Sequence, residues 1–170
     1  MLKIKKTKFK DLLIIEGKSH NDERGYLREL LIEKQIKQKF KFQLVSKSRS
    51  NVLRGLHFQY KKPQGKFISV IKGKIFDVAV DIRKNSKTYG KHVAVLLSGE
   101  NKRQLFVPRG FAHGFLVLSD SATFAYKVDN RYAPEFDAGI RWYDKELNIQ
   151  WGLEESEVLV SAKDAELPFF

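Results

Sequence analysis

The sequence contains no cysteine. Disulfides, thiol catalysis and cysteine-ligated zinc are therefore excluded, and a reducing, cytoplasmic location fits. Long apolar runs are also missing. The segment Met1–Gly17 offers lysines and then only the four-residue run Leu12–Ile15. That is too short for a signal-peptide core, and no stretch approaches a membrane span. No internal repeat or low-complexity linker interrupts the chain. There is no basic helix, no RNA-binding aromatic motif and no zinc finger. The four histidines are His20, His57, His92 and His113. Metal-binding jelly rolls usually use two histidines one residue apart, with a carboxylate and a further histidine. Here His57 is followed by Phe58-Gln59, so no bound metal is expected.

What is present describes a globular protein. The chain has 170 residues, 42% of them hydrophobic and 12% aromatic. That length fits one domain, residues 1–170, with room for a sizeable core. The net charge of +12 invites a nucleic-acid reading. The lysines are dispersed, however, and several crowd the first ten residues. They read as a solvated surface rather than a nucleic-acid footprint. The same charge favours a smaller anion, such as a nucleotide diphosphate.

The hydrophobic pattern predicts an all-β chain with a few short helices. Lys8–Gly17 reads as a strand, followed by a polar loop through Asp22-Glu23-Arg24-Gly25 and a second strand over Tyr26–Leu31. Ile32, Ile36 and Phe40 recur every four residues, which suits one amphipathic helix. Strands follow over Phe42–Val45, Val52–Phe58, Lys66–Ile71, Lys74–Arg83, His92–Leu97, Gln104–Val107, Gly114–Leu118 and Thr123–Val128. Lys72-Gly73 is a two-residue hairpin signal. Ser161–Phe170 reads as a helical turn and a tail. Many short strands at regular spacing predict an antiparallel sandwich or barrel. Within Lys74–Arg83, Ile75, Asp77, Ala79 and Asp81 share one face. Two aspartates on that face mean either solvent or a polar pocket.

Asn51–Phe58 is the stretch the chain is organised around. Arg54 and His57 interrupt an apolar strand, and a buried cation or imidazole needs a partner. They differ by three positions, so an ideal strand would point them to opposite faces. A bulge at Gly55 would bring them together. His113 lies in the Gly-flanked, aromatic-rich stretch Pro108–Phe115. It reads equally as a ligand contact or as a core histidine bonded to Asp77. Lys66 alone reads as exposed, and Tyr126 alone as a core tyrosine. Tyr132 lies in a loop, where a ring can stack on a base. Ser161-Ala162-Lys163-Asp164 has the capping-box pattern, which makes Asp164 a candidate helix cap.

These blocks, in order over nearly the whole chain, resemble the dTDP-4-dehydrorhamnose 3,5-epimerase family. They are Asp22–Gly25, Asn51–Gln59, Gln64–Lys66, Gly73–Arg83, Leu97–Leu105, Pro108–Phe115, Ala125–Lys127, Asp144–Trp151 and Ser161–Asp164. The resemblance implies a cupin-like jelly-roll barrel, no cofactor, and a homodimer with swapped N-terminal strands. It implies a nucleotide-diphosphate sugar as substrate, most simply a dTDP-linked one. It also implies roles: His57 as general base, Asp164 as its partner, Lys66 beside the substrate ketone and Tyr126 as proton donor. Arg24, Glu29, Arg54, Gln59, His113, Asp137 and Lys163 match substrate-contacting positions, and Tyr132 matches a base-stacking aromatic. Asp137 stands where a glutamate is common. Phe42-Gln43-Leu44-Val45-Ser46 departs from the family, which often shows Gln-Asp-Asn-His-Ser there. That departure leaves open a relative that epimerises one carbon or takes another nucleotide sugar. A silent sugar-nucleotide-binding jelly roll is a third reading. His57, Lys66, Tyr126 and Asp164 together argue against it.

The chemistry expected is proton transfer beside a ketone. In a 4-keto-6-deoxyhexose, C3–H and C5–H flank the C4 carbonyl. Removing either proton gives an enolate, and returning it on the opposite face inverts that carbon. An imidazole with an ordinary pKa of ~6.5 suits the base.

Overall fold

The computed structural model describes residues 2–170. Thirteen strands are assigned in it. They are β1 (Lys3–Lys6), β2 (Leu13–Glu16), β3 (Ser19–Asp22), β4 (Gly25–Arg28), β5 (Phe42–Arg49), β6 (Leu53–Gln59) and β7 (Lys66–Lys72). Next come β8 (Lys74–Asp81), β9 (His92–Ser98), β10 (Arg103–Val107), β11 (Phe111–Val117), β12 (Ser121–Val128) and β13 (Asp137–Gly139). Two one-turn helices, α1 (Glu33–Ile36) and α2 (Ala162–Ala165), complete the set with 3-10 turns at Pro134–Phe136 and Glu155–Glu157.

The strands form two facing antiparallel sheets, a jelly roll. One runs β1-β2-β10-β7-β12-β5 and the other β13-β6-β11-β8-β9, while β3 and β4 make a separate hairpin. Strand alternation sorts the side chains into layers. Ile68 and Val70 of β7, Ile75 and Ala79 of β8, Phe115 of β11 and Phe124 of β12 fill the space between the sheets. Leu53, Leu56, Val80 and Leu116 face outward and are covered by Trp142, Ile149 and Trp151 from the C-terminal segments. Behind the other sheet, Ile15, Phe67 and Phe106 are covered by Leu2, Ile36 and Phe40. Each large apolar side chain so buried contributes roughly 1.5–3 kcal/mol. A strand packed on both faces is a rigid mount for a side chain that points into the barrel.

Several sequence expectations change. Lys72-Gly73 is not a hairpin, because β7 and β8 lie in different sheets. Gly73, at φ 82°, turns the chain from one sheet to the other, and a Cβ there would lie 2.1 Å from the Ser121 carbonyl oxygen. The expected helix over Ile32–Phe40 is one turn, ended by Lys37 in the left-handed region. Ile36 and Phe40 still pack together behind the sheet, Phe40 from an extended segment against Phe67 and Phe106. The long strand over Lys8–Gly17 shortens to β2, and β1 precedes it. The polar loop at Asp22–Gly25 is the tip of the β3–β4 hairpin.

Candidate active site

The site begins with the bulge in β6. Opposite β6, His113 of β11 pairs with His57 and Phe115 with Arg54. Two steps on β11 therefore span three on β6. The bulge expected at Gly55 is present. Gly55 takes φ 123°, and a Cβ on it would stand 2.6 Å from the Gly114 Cα. Only glycine accepts that conformation and that approach. The extra residue puts Arg54 and His57 on the same side, and both line one recess inside the barrel.

Asp164 reaches this strand from α2. Its Oδ1 is 2.7 Å from His57 Nε2, and its Oδ2 accepts the Gly55 N–H at 3.1 Å. Ser161 Oγ accepts the Asp164 N–H at 3.1 Å, so the serine caps α2 as the sequence suggests. The acid does not return the favour: its carboxylate turns away from the helix to β6. Burial alone would raise the Asp164 pKa. The His57 and Gly55 hydrogen bonds outweigh that and hold it below the usual carboxylate range. Gly55 thus both allows the bulge and donates to the acid beside His57.

Lys66 and Tyr126 share that recess and also line the wider pocket in front of it, which encloses about 380 Å³. Lys66, half-buried at the start of β7, has its ammonium pKa pulled down by burial, against the charges of Asp77 and Asp137. Burial raises the Tyr126 phenol, with Arg54 opposing, so it stays protonated at neutral pH. The loop into Lys66 is held by Asp129, which sequence reasoning missed. That carboxylate accepts from Gly65 N at 2.7 Å, Arg109 Nε at 2.9 Å and Gln38 Nε2 at 3.0 Å. A lone acid after an apolar strand carries no signal of such a role.

At the mouth, Tyr132 Oη donates to Asp137 Oδ2 at 3.0 Å, and Lys163 pairs with the same oxygen. The Tyr132 ring is exposed, available for stacking. Its phenol and the Lys163 ammonium are both raised by the hydrogen bond to Asp137. Phe42 and Leu44 of β5 form an apolar wall of the pocket, while Ser46 lines the recess and Ser48 accepts from Arg54 Nε at 3.3 Å.

The remaining expected contacts divide between the pocket and the β3–β4 hairpin. Gln59 borders the pocket, but its amide is spent on loop backbone. Nε2 donates to Lys62 O at 2.7 Å, and Oε1 accepts from Ala133 N at 2.9 Å. His113 is buried and bonds Asp77 Oδ1 through Nε2 at 2.9 Å, the core pairing the sequence allows, yet it also lines the recess. Arg24 sits at the hairpin tip, exposed and paired with Asp22 at 2.6 Å, and Glu29 follows β4. Neither Arg24 nor Glu29 lines the pocket. No group of three or more metal-ligating side chains is found among the described residues. No helix among them is long and apolar enough to cross a membrane.

A family model described as dTDP-4-dehydrorhamnose 3,5-epimerase matches residues 6–170. The enzyme of that name from Methanothermobacter thermautotrophicus is 48% identical over 165 residues, 94% of this chain and 89% of its own length. The structure of dTDP-6-deoxy-D-glucose-3,5-epimerase from Legionella pneumophila, in complex with dTDP-4-keto-L-rhamnose, is 46% identical, with a TM-score of 0.95. That match covers 99% of this chain and 93% of the other. The Bacillus anthracis dTDP-4-dehydrorhamnose 3,5-epimerase, with TDP and PPi bound, is 39% identical, covers 100% of both chains and has a TM-score of 0.95.

Proposed function

The chain belongs to the dTDP-4-dehydrorhamnose 3,5-epimerase family, and from that membership we propose that its barrel pocket inverts C3 and C5 of a dTDP-linked 4-keto-6-deoxyhexose. The observation that carries the reading is the 2.7 Å contact between His57 Nε2 and Asp164 Oδ1, in a pocket shared with Lys66 and Tyr126.

With Nε2–H donated to Asp164, the other ring nitrogen of His57 is the basic one. It takes the proton from C3 or C5, and the C–H electron pair moves to the C4 oxygen as an enolate. Asp164 holds the tautomer and stabilises the imidazolium that forms. Lys66 donates to the developing oxyanion, a contribution of about 3 kcal/mol for one preorganised donor. Tyr126 Oη–H returns a proton to the opposite face of the same carbon; its phenolate then regains one from solvent, and the His57 imidazolium releases its proton to solvent. A second round at the other carbon completes the product. The ketone acidifies both positions, so no cofactor is needed. Arg54 and Lys163 meet the diphosphate, and Tyr132 stacks on the base.

Arg24 and Glu29 lie on or beside the β3–β4 hairpin, away from their own pocket. The hairpin exposes Tyr26 and Leu27, and β5 ends its sheet with Val45 exposed. A homodimer in which this hairpin reaches the partner's pocket would use both surfaces. Sedimentation showing only monomer would sink that part. Action in the cytoplasm fits a chain without cysteine.

The test is incubation with dTDP-4-keto-6-deoxyglucose in heavy water, followed by proton NMR. Deuterium at both C3 and C5 with inverted product is expected. Exchange at one carbon would make it a single-centre epimerase, and no exchange would remove the reading.

A further inference from the structure

Asp77 lies on the inward face of β8 between Ile75 and Ala79 and is fully buried. Its Oδ1 is bonded to His113 Nε2 at 2.9 Å. Its Oδ2 is buried with no hydrogen-bond partner, the one such side-chain atom among the described residues. A buried carboxylate in that position costs several kcal/mol unless cations neutralise it. Two groups face it, one from the adjacent strand and one from the opposite sheet. His113 touches it from β11, and Lys66 faces the same interior from β7, on the parity of Ile68 and Val70.

We propose that Asp77 is a positioning residue for the reaction: a fixed counter-charge, out of the substrate's reach, that keeps Lys66 an ammonium and turns the Nε2–H of His113 away from the pocket. The proposal rests on the reading of Lys66 as the donor to the enolate oxygen. Its logic is electrostatic. The site must bind a diphosphate and form an enolate, so a carboxylate in the pocket would repel both. Behind His113, the same charge raises the proton affinity of Lys66 without meeting the substrate. Burial pushes Lys66 toward the neutral amine, which is a poorer donor to an oxyanion, and Asp77 is the foremost charge opposing that shift. The other charged or titratable groups around this space are Arg54 and His57 on β6, Tyr126 on β12, Asp137 on β13 and Asp164 on α2. Asp137 also supports the ammonium. It is shared with Tyr132 and Lys163 at the mouth, whereas Asp77 has an oxygen uncommitted.

Asp77→Asn removes the charge at nearly constant volume. The expected result is a titration of Lys66, followed by NMR of its Nζ and Cε, whose midpoint moves acidward by about one pH unit or more. The alkaline limb of kcat against pH should move with it. Above the new limb kcat should fall about tenfold for each pH unit the limb has moved. The Kd for dTDP should stay within about twofold, because Asp77 does not meet the nucleotide. Should Asp77→Asn not fold, Asp77→Ser is read the same way. An unchanged Lys66 titration in a folded variant, with or without lost stability, overturns the proposal. The titration needs no substrate. A wild-type protein inactive on the sugar would therefore refute the proposed reaction while the NMR still decided the role of Asp77.

Discussion

His57 and Asp164 are 107 positions apart in sequence and 2.7 Å apart in space. Their roles, and that of Tyr126, separate cleanly by isotope. His57→Ala should lose deuterium uptake at both carbons, with kcat lowered by about 10²–10⁴. Tyr126→Phe should behave differently. The base still removes a proton and can return solvent deuterium to the same face, so label should enter with configuration retained. Inverted product at the wild-type rate from Tyr126→Phe would assign the returning proton to another group. Single residues are also the least legible part of the sequence. His57 stands out as polar in an apolar strand, but only the resemblance separates it from the other histidines. Asp164 looks like a helix cap because Ser161 and the acid have the right spacing. The serine does cap the turn, but spacing cannot say where a carboxylate will turn when an imidazole on a neighbouring strand competes for it. The resemblance gives Gln59 to the substrate; it borders the pocket, and its amide braces the loop of Lys62 and Ala133, a role no local pattern shows.

Elements decide which of these residues can meet. β6 would put Arg54 and His57 on opposite faces without the bulge at Gly55. Gly55→Ala would place a methyl group against the Gly114 Cα and the His113 carbonyl, at 2.6 and 2.8 Å, and would strain a φ of 123°. The expected outcome is loss of at least 1–3 kcal/mol of stability and a kcat reduced by about 10². Denaturant unfolding and the heavy-water assay check both, and wild-type values for the alanine variant would mean β6 tolerates a regular register. Strands are the legible elements, since β-branched and aromatic runs between turn residues mark them from sequence. Pairing is not legible. Lys72-Gly73 carries a hairpin signature, yet one glycine turns the chain between sheets. No local pattern distinguishes the two uses. The Ile32–Phe40 spacing reports burial correctly and helix only for one turn, because Lys37 ends it. β4 overlaps the strand read over Tyr26–Leu31, whereas β3, Ser-His-Asn-Asp, has no apolar alternation to reveal it.

The whole molecule depends on carboxylates that have nothing to do with the pocket. Asp81 is fully buried and accepts from Arg83, Ser86 and Thr88. Burial would raise its pKa, but these bonds drive it far below the ordinary value. A depressed folded pKa stabilises the protein above the unfolded value of ~3.9, and that stabilisation drains away as pH falls toward the folded one. Asp81→Asn should therefore cost about 2–4 kcal/mol at pH 7. It should also flatten the dependence of stability on pH below ~4, measured by urea unfolding across pH. Equal stability of the two proteins at pH 7 would show that Asp81 does not hold the fold.

The place of α2 has a consequence in time. Synthesis runs from the N-terminus, and every strand, through Gly139, is made before Asp164. His57 therefore gains its acid only after a segment made later than every strand docks back on β6. A protein cut before Ser161 would lose the pair, together with the hydrogen bonds that link Leu167 and Pro168 to Arg141 and Phe170 to Asp144. Turnover is therefore a late event in the life of each chain, and a sensitive report that residues 161–164 have arrived and docked.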